Sequence, residues 1–141
     1  MPDYSNACVY KIECKDEAIT DIYIGSTSNF KRRRWNHKVS CNNSNSGGYN
    51  YKIYQFIRSN GGWVNWEMKI IRDKLGVDNK TDLHNIEGQY QRLLKPTLNK
   101  NIANRTQKEY MKDYKKRNKE KIREYQREYQ QEYRAKKKLT P

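Results

Sequence analysis

The 141-residue chain has no apolar run approaching the roughly 18 residues of a membrane span, and Met1-Pro2-Asp3-Tyr4 lacks the basic then apolar pattern of a secretory leader. The expectation is a soluble, intracellular protein that uses no membrane. Cysteine is scarce. Cys8, Cys14 and Cys41 are odd in number and show no C-x-x-C spacing, which argues against a disulfide framework and against a structural zinc site. A Cys8/Cys14/His37/Cys41 zinc cluster is the weaker alternative to reduced, mostly buried thiols, because Cys8 falls inside a strand pattern. Negative charge is the other shortage: sixteen Asp plus Glu face thirty Lys plus Arg, for a net +14. Such an excess attracts polyanions at long range and leaves nucleic acid as the expected partner.

The charge is uneven. Residues 1–103 carry 16 basic and 10 acidic groups, whereas 104–141 carry 14 and 6 on a much shorter segment. The second segment keeps Met111, Ile122, Ala135, Leu139 and a set of tyrosines but few other hydrophobes, too little to bury a core alone. Two regions are therefore expected, a folded domain at 1–103 and a basic Tyr/Lys/Glu-rich helical tail at 104–141.

Within the first region, Ala7 to Ile12 and Asp21 to Gly25 are β-favouring runs joined by a polar loop. Ser28 or Asn29 can cap a helix from Phe30 to about Ser40, and Asn42 to Gly48 is too polar and Gly-rich for anything but a loop. A helix at 51–58 ends on Asn60-Gly61-Gly62, and alternating Trp66, Met68 and Ile70 predict a third strand at 66–72. Thr81 can cap a last helix running to Leu94 and stopped by Pro96. The order β-β-α-α-β-α predicts an α+β fold, a small three-stranded and mostly antiparallel sheet flanked by helices, followed by a long basic C-terminal helix.

Three places could carry chemistry. Side chains two apart share a strand face, so Cys8, Tyr10 and Ile12 point one way, and Tyr23 can lie beside Tyr10 if the register allows; the plainer alternative is that tyrosine simply suits strands. Phe30, Arg33 and His37 share one helix face, so a guanidinium could clamp a phosphate while an imidazole handles a proton. The flanking Arg32 and Arg34 read as a solvated basic surface touching phosphates. Leu83, Ile86, Tyr90, Leu93 and Leu94 form an apolar stripe on the last helix, with Glu87 along it. A carboxylate there must be paired, hydrogen-bonded or metal-bound to offset its desolvation. A salt bridge and a Mg²⁺ site, which needs only one or two protein carboxylates, are both open.

Val9-Tyr10, then Tyr23-Ile24-Gly25, Arg33, His37, Glu87 and Pro96-Thr97-Leu98-Asn99 in this order resemble the GIY-YIG nuclease superfamily over about residues 7–103. The middle of the chain is similar to phage homing endonucleases of that family, and the spacing from Glu87 to Asn99 to the excision-repair nuclease domains. The first motif departs from the pattern, reading Cys8-Val9-Tyr10. Asn101 competes with Asn99 for the terminal asparagine, and Arg34 with Arg33. The resemblance implies a DNA endonuclease assisted by Mg²⁺ or Mn²⁺. Tyr10 would act as general base, aided by Tyr23 or His37; Arg33 would bind the phosphate oxygens, Glu87 hold the metal and Asn99 steady the site. A free phenol is only about one part in a thousand ionised at pH 7, a shortfall of about 4 kcal/mol, so positive charge must assist. The alternative is a non-cleaving DNA-binding module on the same scaffold, and restriction, homing and repair roles are not separated by these residues.

In the tail, Tyr110, Tyr114, Tyr125, Tyr129 and Tyr133 recur close to multiples of the helical turn, predicting one helix of about 33 residues and roughly 50 Å with an aromatic stripe. Lys115, Lys116, Arg117, Lys119, Lys136, Lys137 and Lys138 could contact phosphates. The tail could instead pair two copies, or be passive. Tyrosine stripes make poor coiled-coil seams because each hydroxyl needs a partner, so a monomer is expected, with dimerisation through the tail as the alternative.

Overall fold

The computed structural model describes residues 3–138, and by internal contacts the chain divides into two units, 1–104 and 105–141. The first unit holds strands β1 (Cys8–Cys14) and β2 (Ile22–Thr27), helices α1 (Phe30–Asn42) and α2 (Lys52–Ser59), a 3-10 turn at Trp63–Asn65, strand β3 (Trp66–Arg72) and helix α3 (Lys80–Leu94). The sheet order is β2-β1-β3 and both pairings are antiparallel. The α+β class and strand count are those expected from the sequence.

The register explains the core. Tyr10 faces Gly25 on β2 and Ile70 on β3, and Ile12 faces Tyr23 and Met68. These side chains share one sheet face, which packs on Cys41 of α1, on Ile53, Tyr54 and Ile57 of α2, and on Trp63 and Leu98. The other face carries an ion-pair network, with Lys11 and Lys69 each 3.0 Å from Glu13. Alternation is lost at the end of β3. A bulge opposite Val9 and Tyr10 shifts the register, and Ile70, expected inside, is 46% exposed.

Local chemistry sets most element ends. Asn29 caps α1 by accepting from the Arg32 amide at 3.1 Å. Gly61 and Gly62, at φ +95° and +77°, turn the chain between α2 and the 3-10 segment in a conformation that side-chain-bearing residues avoid. The α3 cap is Asn79, whose side-chain oxygen accepts from Asp82 N at 2.8 Å, rather than Thr81. The exposed edge of β2 is closed by the chain after α3: Leu98 N donates to Ile22 O, and the Asn99 amide pairs with both backbone groups of Ile24, at 2.8 and 2.7 Å.

The second unit contains α4 (Gln107–Arg117) and α5 (Lys119–Lys138). The expected single helix is thus interrupted. Asn118 adopts a non-helical conformation; its backbone N–H still makes the helical bond to the Tyr114 carbonyl, and its side-chain amide donates to the same oxygen as a local competitor of the helical ladder. A capping box of Thr106 and Glu109 starts α4, and α5 alone, at 20 residues, is the long basic C-terminal helix. Neither helix has a buried residue. Leu139 lies outside the described residues.

Candidate active site

Tyr10 is wholly buried on the central strand, and its hydroxyl has two partners. His37 Nε2 lies 2.8 Å away and Arg33 Nε donates to it at 3.2 Å. Space for the phenol exists because its neighbour on β2 is Gly25: a β-carbon there would stand 2.5 Å from the Tyr10 hydroxyl oxygen. Any side chain at Gly25 would therefore evict it. Tyr23 is diagonal to Tyr10, not directly beside it, yet the rings approach with centroids 6.3 Å apart.

Helix α1 supplies Arg33 and His37 from one side, four residues apart as one turn requires. His37 is buried; its Nδ1 lies 2.8 Å from the Tyr54 hydroxyl, and Trp63 stacks on its ring at 6.4 Å. Burial, then the nearby Arg33 charge, lower its pKa to about 3, so the imidazole is neutral at physiological pH. A neutral ring has one donor and one acceptor nitrogen. If the Tyr10 hydroxyl donates to Nε2, then Nδ1–H donates to Tyr54, and the opposite tautomer fits an ionised Tyr10.

Burial raises the pKa of Tyr10, with Arg33 opposing, and the same two influences act on Tyr23. Burial pushes Tyr54 up to about 12. Desolvation works against the charge on Arg33, but the two phenols outweigh it and raise its pKa. Arg33 nevertheless keeps much of its side chain towards solvent. Its charge is accessible from the groove and in contact with the phenol.

Glu87 lines the same groove, of about 880 Å³, together with Tyr23, Arg33, His37, Asn99 and Asn101. Burial raises its pKa, while Ser26 and the Arg33 charge favour its ionised form. The Ser26 hydroxyl is itself buried without a hydrogen-bond partner of good geometry. The inward face of α3 differs from the one expected: Leu83, Gly88 and Gln91 are buried with Glu87 among them, whereas Leu93 and Leu94 are 74% and 42% exposed. The helix is rotated because Gly88 lets the Ala103 carbonyl approach, and because Gln91 bridges two chain segments. Gln91 donates to Ile24 O at 3.1 Å and accepts from Ala103 N at 2.6 Å. Among the described residues no salt bridge engages Glu87, and no group of three or more His, Cys, Asp or Glu side chains stands together.

The structure thus brings together Tyr10, Tyr23, Arg33, His37 and Glu87, and places Asn99 at the groove wall with its amide occupied by Ile24. Arg33, not Arg34, reaches Tyr10. Arg34 lines a different groove, and Arg32 is exposed beside a third. In the other unit Lys115, Lys116 and Arg117 lie in the last turn of α4, Lys119 begins α5, and Lys136, Lys137 and Lys138 end it, all exposed. Tyr54, Gln91 and Ser26 escape sequence reasoning. Tyr54 carries the signal of a polar tip on a buried helix face; Gln91 and Ser26 carry none.

Residues 6–101, about two thirds of the chain, match the family model of the GIY-YIG catalytic domain. The protein belongs to the GIY-YIG nuclease superfamily, whose domain is typically that of an endonuclease. Comparison with curated proteins and with solved structures finds no significant match. Among the described residues no helix is long and apolar enough to cross a membrane.

Proposed function

We propose that residues 1–103 form a metal-dependent DNA endonuclease domain that hydrolyses phosphodiester bonds, working as a monomer, with 104–141 adding sequence-independent phosphate contacts. The carrying observation is that the buried Tyr10 hydroxyl is hydrogen-bonded to Arg33 and His37, two side chains that line the groove holding Glu87.

Tyr10 acts as the base. As phenolate it takes a proton from a water whose oxygen forms the new bond to phosphorus as the bond to the leaving oxygen breaks. Burial opposes that phenolate in the free protein, so its formation has to be coupled to the arrival of positive charge. Arg33 supplies one such charge within hydrogen-bond reach and faces the groove, where its remaining N–H groups can bind non-bridging phosphate oxygens. His37 is held by Tyr54, so Nε2 can take the Tyr10 proton while Nδ1–H passes to the Tyr54 oxygen and the Tyr54 hydroxyl proton leaves to the groove that Tyr54 lines; no buried imidazolium is left. Tyr23 shields the phenol, and Asn99 with Gln91 pins β2 beside it.

A half-buried carboxylate with no salt bridge among the described residues, facing the groove with the Ser26 hydroxyl beside it, fits a hard cation that keeps most of its water, so Glu87, with Ser26, would hold the ion. Mg²⁺ or Mn²⁺ bound there would stabilise the charge developing on the leaving oxygen. The test is incubation of the purified protein with plasmid, flap and single-stranded DNA, with and without Mg²⁺. Cutting that requires the ion and is lost in Glu87→Ala supports the reading; binding without cutting would make the domain a DNA-attachment module.

A further inference from the structure

Helix α1 is loaded on two sides. Phe30, Arg33, His37 and Cys41 face the core and the catalytic groove, whereas Lys31, Arg34, Trp35 and Lys38 follow one another at helical spacing along a second side. That second side borders a separate groove of about 650 Å³, with Trp63 and Trp66 beneath it and Lys15 and Val64 on the opposite wall. Lys15 Nζ donates to the Val64 carbonyl at 3.0 Å, which ties the β1–β2 loop to the 3-10 turn and shapes this wall.

Two properties set this groove apart. Its lining contains four cations and no carboxylate, and among the described residues no acidic side chain pairs with Lys31, Arg34 or Lys38. Trp35 is 63% exposed amid these charges, although the chain buries its other two indoles at Trp63 and Trp66. Uncompensated cations select an anionic ligand. A free indole face adds a demand for a flat aromatic partner, and phosphate oxygens flanked by unstacked bases meet both demands, as in sites for single-stranded nucleic acid. A paired duplex keeps its base faces stacked and offers only phosphates to such a surface.

We propose that this groove binds an unpaired DNA strand, one base stacking on Trp35 while Lys31, Arg34 and Lys38 contact its phosphates. This rests on the reading of the protein as a DNA enzyme and deepens it. Arg33 and Arg34 are consecutive residues, so the cleavage groove and the strand groove flank one helix about 10 Å across, a span of only a few nucleotides. A substrate in which duplex meets single strand engages both grooves at once. Such junctions are therefore the preferred DNA.

The test uses the full chain in EDTA, where no metal-dependent cutting can intervene, and follows binding of oligo(dT) and of a duplex by anisotropy and by tryptophan fluorescence. Oligo(dT) should quench the exposed Trp35. Trp35→Ala should abolish most of that quench and weaken oligo(dT) binding about tenfold, the scale of one base stack, while duplex affinity stays within about twofold. Trp35→Phe should restore most of the affinity, and Lys38→Ser should weaken oligo(dT) without removing the quench. Equal losses on both DNAs, an unchanged quench in Trp35→Ala, or an acidic peptide that quenches Trp35 and displaces oligo(dT) would each overturn the proposal, the last in favour of a protein partner. The same preparations assayed with Mg²⁺ separate this from the nuclease reading. Quenching without any cutting leaves the groove standing and removes the nuclease, whereas cutting with no Trp35 effect removes the groove alone.

Discussion

The two units of the chain use side chains in opposite ways. In the first, groups far apart in sequence meet at fixed distances: Tyr10 and His37, 27 residues apart, lie within 2.8 Å, and Asn99 grips Ile24 across 75 residues. In the second unit near neighbours in sequence meet, such as Arg105 with Asp113 at 3.3 Å and the stacked Tyr110 and Tyr114. No residue of α4 or α5 is buried. Chemistry that needs groups held to fractions of an ångström can reside only in the first. The second can contribute charge, which acts over distance and survives the removal of any one side chain.

The sharpest separation should come from acid. His37 titrates near 3 in the fold but near 6.5 when unfolded, so the unfolded chain binds the extra proton between these values. The contribution of the neutral ring is whole above pH 6.5 and is lost as pH falls towards 3, about 5 kcal/mol over the window. Melting followed between pH 7 and 4 should show the decline, and His37→Gln should flatten it. The second unit contains no histidine, so a chain ending at Asn104 should retain the slope; a slope that vanished with the tail would break the comparison.

Next in size is Tyr10→Phe, expected to lower cleavage about a thousandfold, the middle to upper range for removal of a general base, with stability falling by about 1 kcal/mol for the missing hydrogen bonds. Tyr133→Phe in α5 should do neither. Should Tyr10→Phe cut normally while Tyr23→Phe does not, the base is Tyr23. Glu87→Ala should cost at least about a hundredfold in cleavage while DNA binding persists. Glu87→Gln should be equally inactive but no less stable, because burial already disfavours the charge. Full Mg²⁺-dependent activity in either variant would disprove the metal assignment.

Deleting the second unit should have the smallest effect on chemistry. Asn104 belongs with the first unit, since its side chain bonds Thr81 O and Asn85, so the chain is best ended there. Every phosphate that the shortened protein no longer neutralises flattens the slope of log K against log salt by about 0.9, so giving up four to six should flatten it by roughly 4 to 5, equally for unrelated sequences. An unchanged slope would leave dimerisation or a passive tail, which sedimentation of the full chain distinguishes.

Much of this is legible in the sequence, and the exceptions share a cause. Element order follows from apolar periodicity and turn residues, which are local properties. The spacing of Arg33 and His37 sets their shared helix side whatever packs against it. The inward side of α3 departs from the expected one because Leu93 and Leu94 look like core, while Gln91, which looks like surface, is buried with both ends of its amide satisfied. The one-residue break at Asn118 is hidden because a side chain competing for a carbonyl does not disturb the tyrosine periodicity.

By itself, then, the sequence determined the α+β class, the excess charge, the uneven division of hydrophobes and the ordered set of Tyr10, Tyr23, Arg33, His37, Glu87 and Asn99. Tertiary structure alone decided that Gly25 makes room for the Tyr10 hydroxyl, that Arg33 rather than Arg34 reaches it, that Tyr54 orients His37, and that Trp35 stays outside among cations. The physical reason is one of range. Periodicity, capping and net charge are properties of neighbouring residues or of sums over residues, and a linear reading contains both. Which side chain fills the space opposite another depends on strand register and helix rotation, and those are set by the packing of all the elements together.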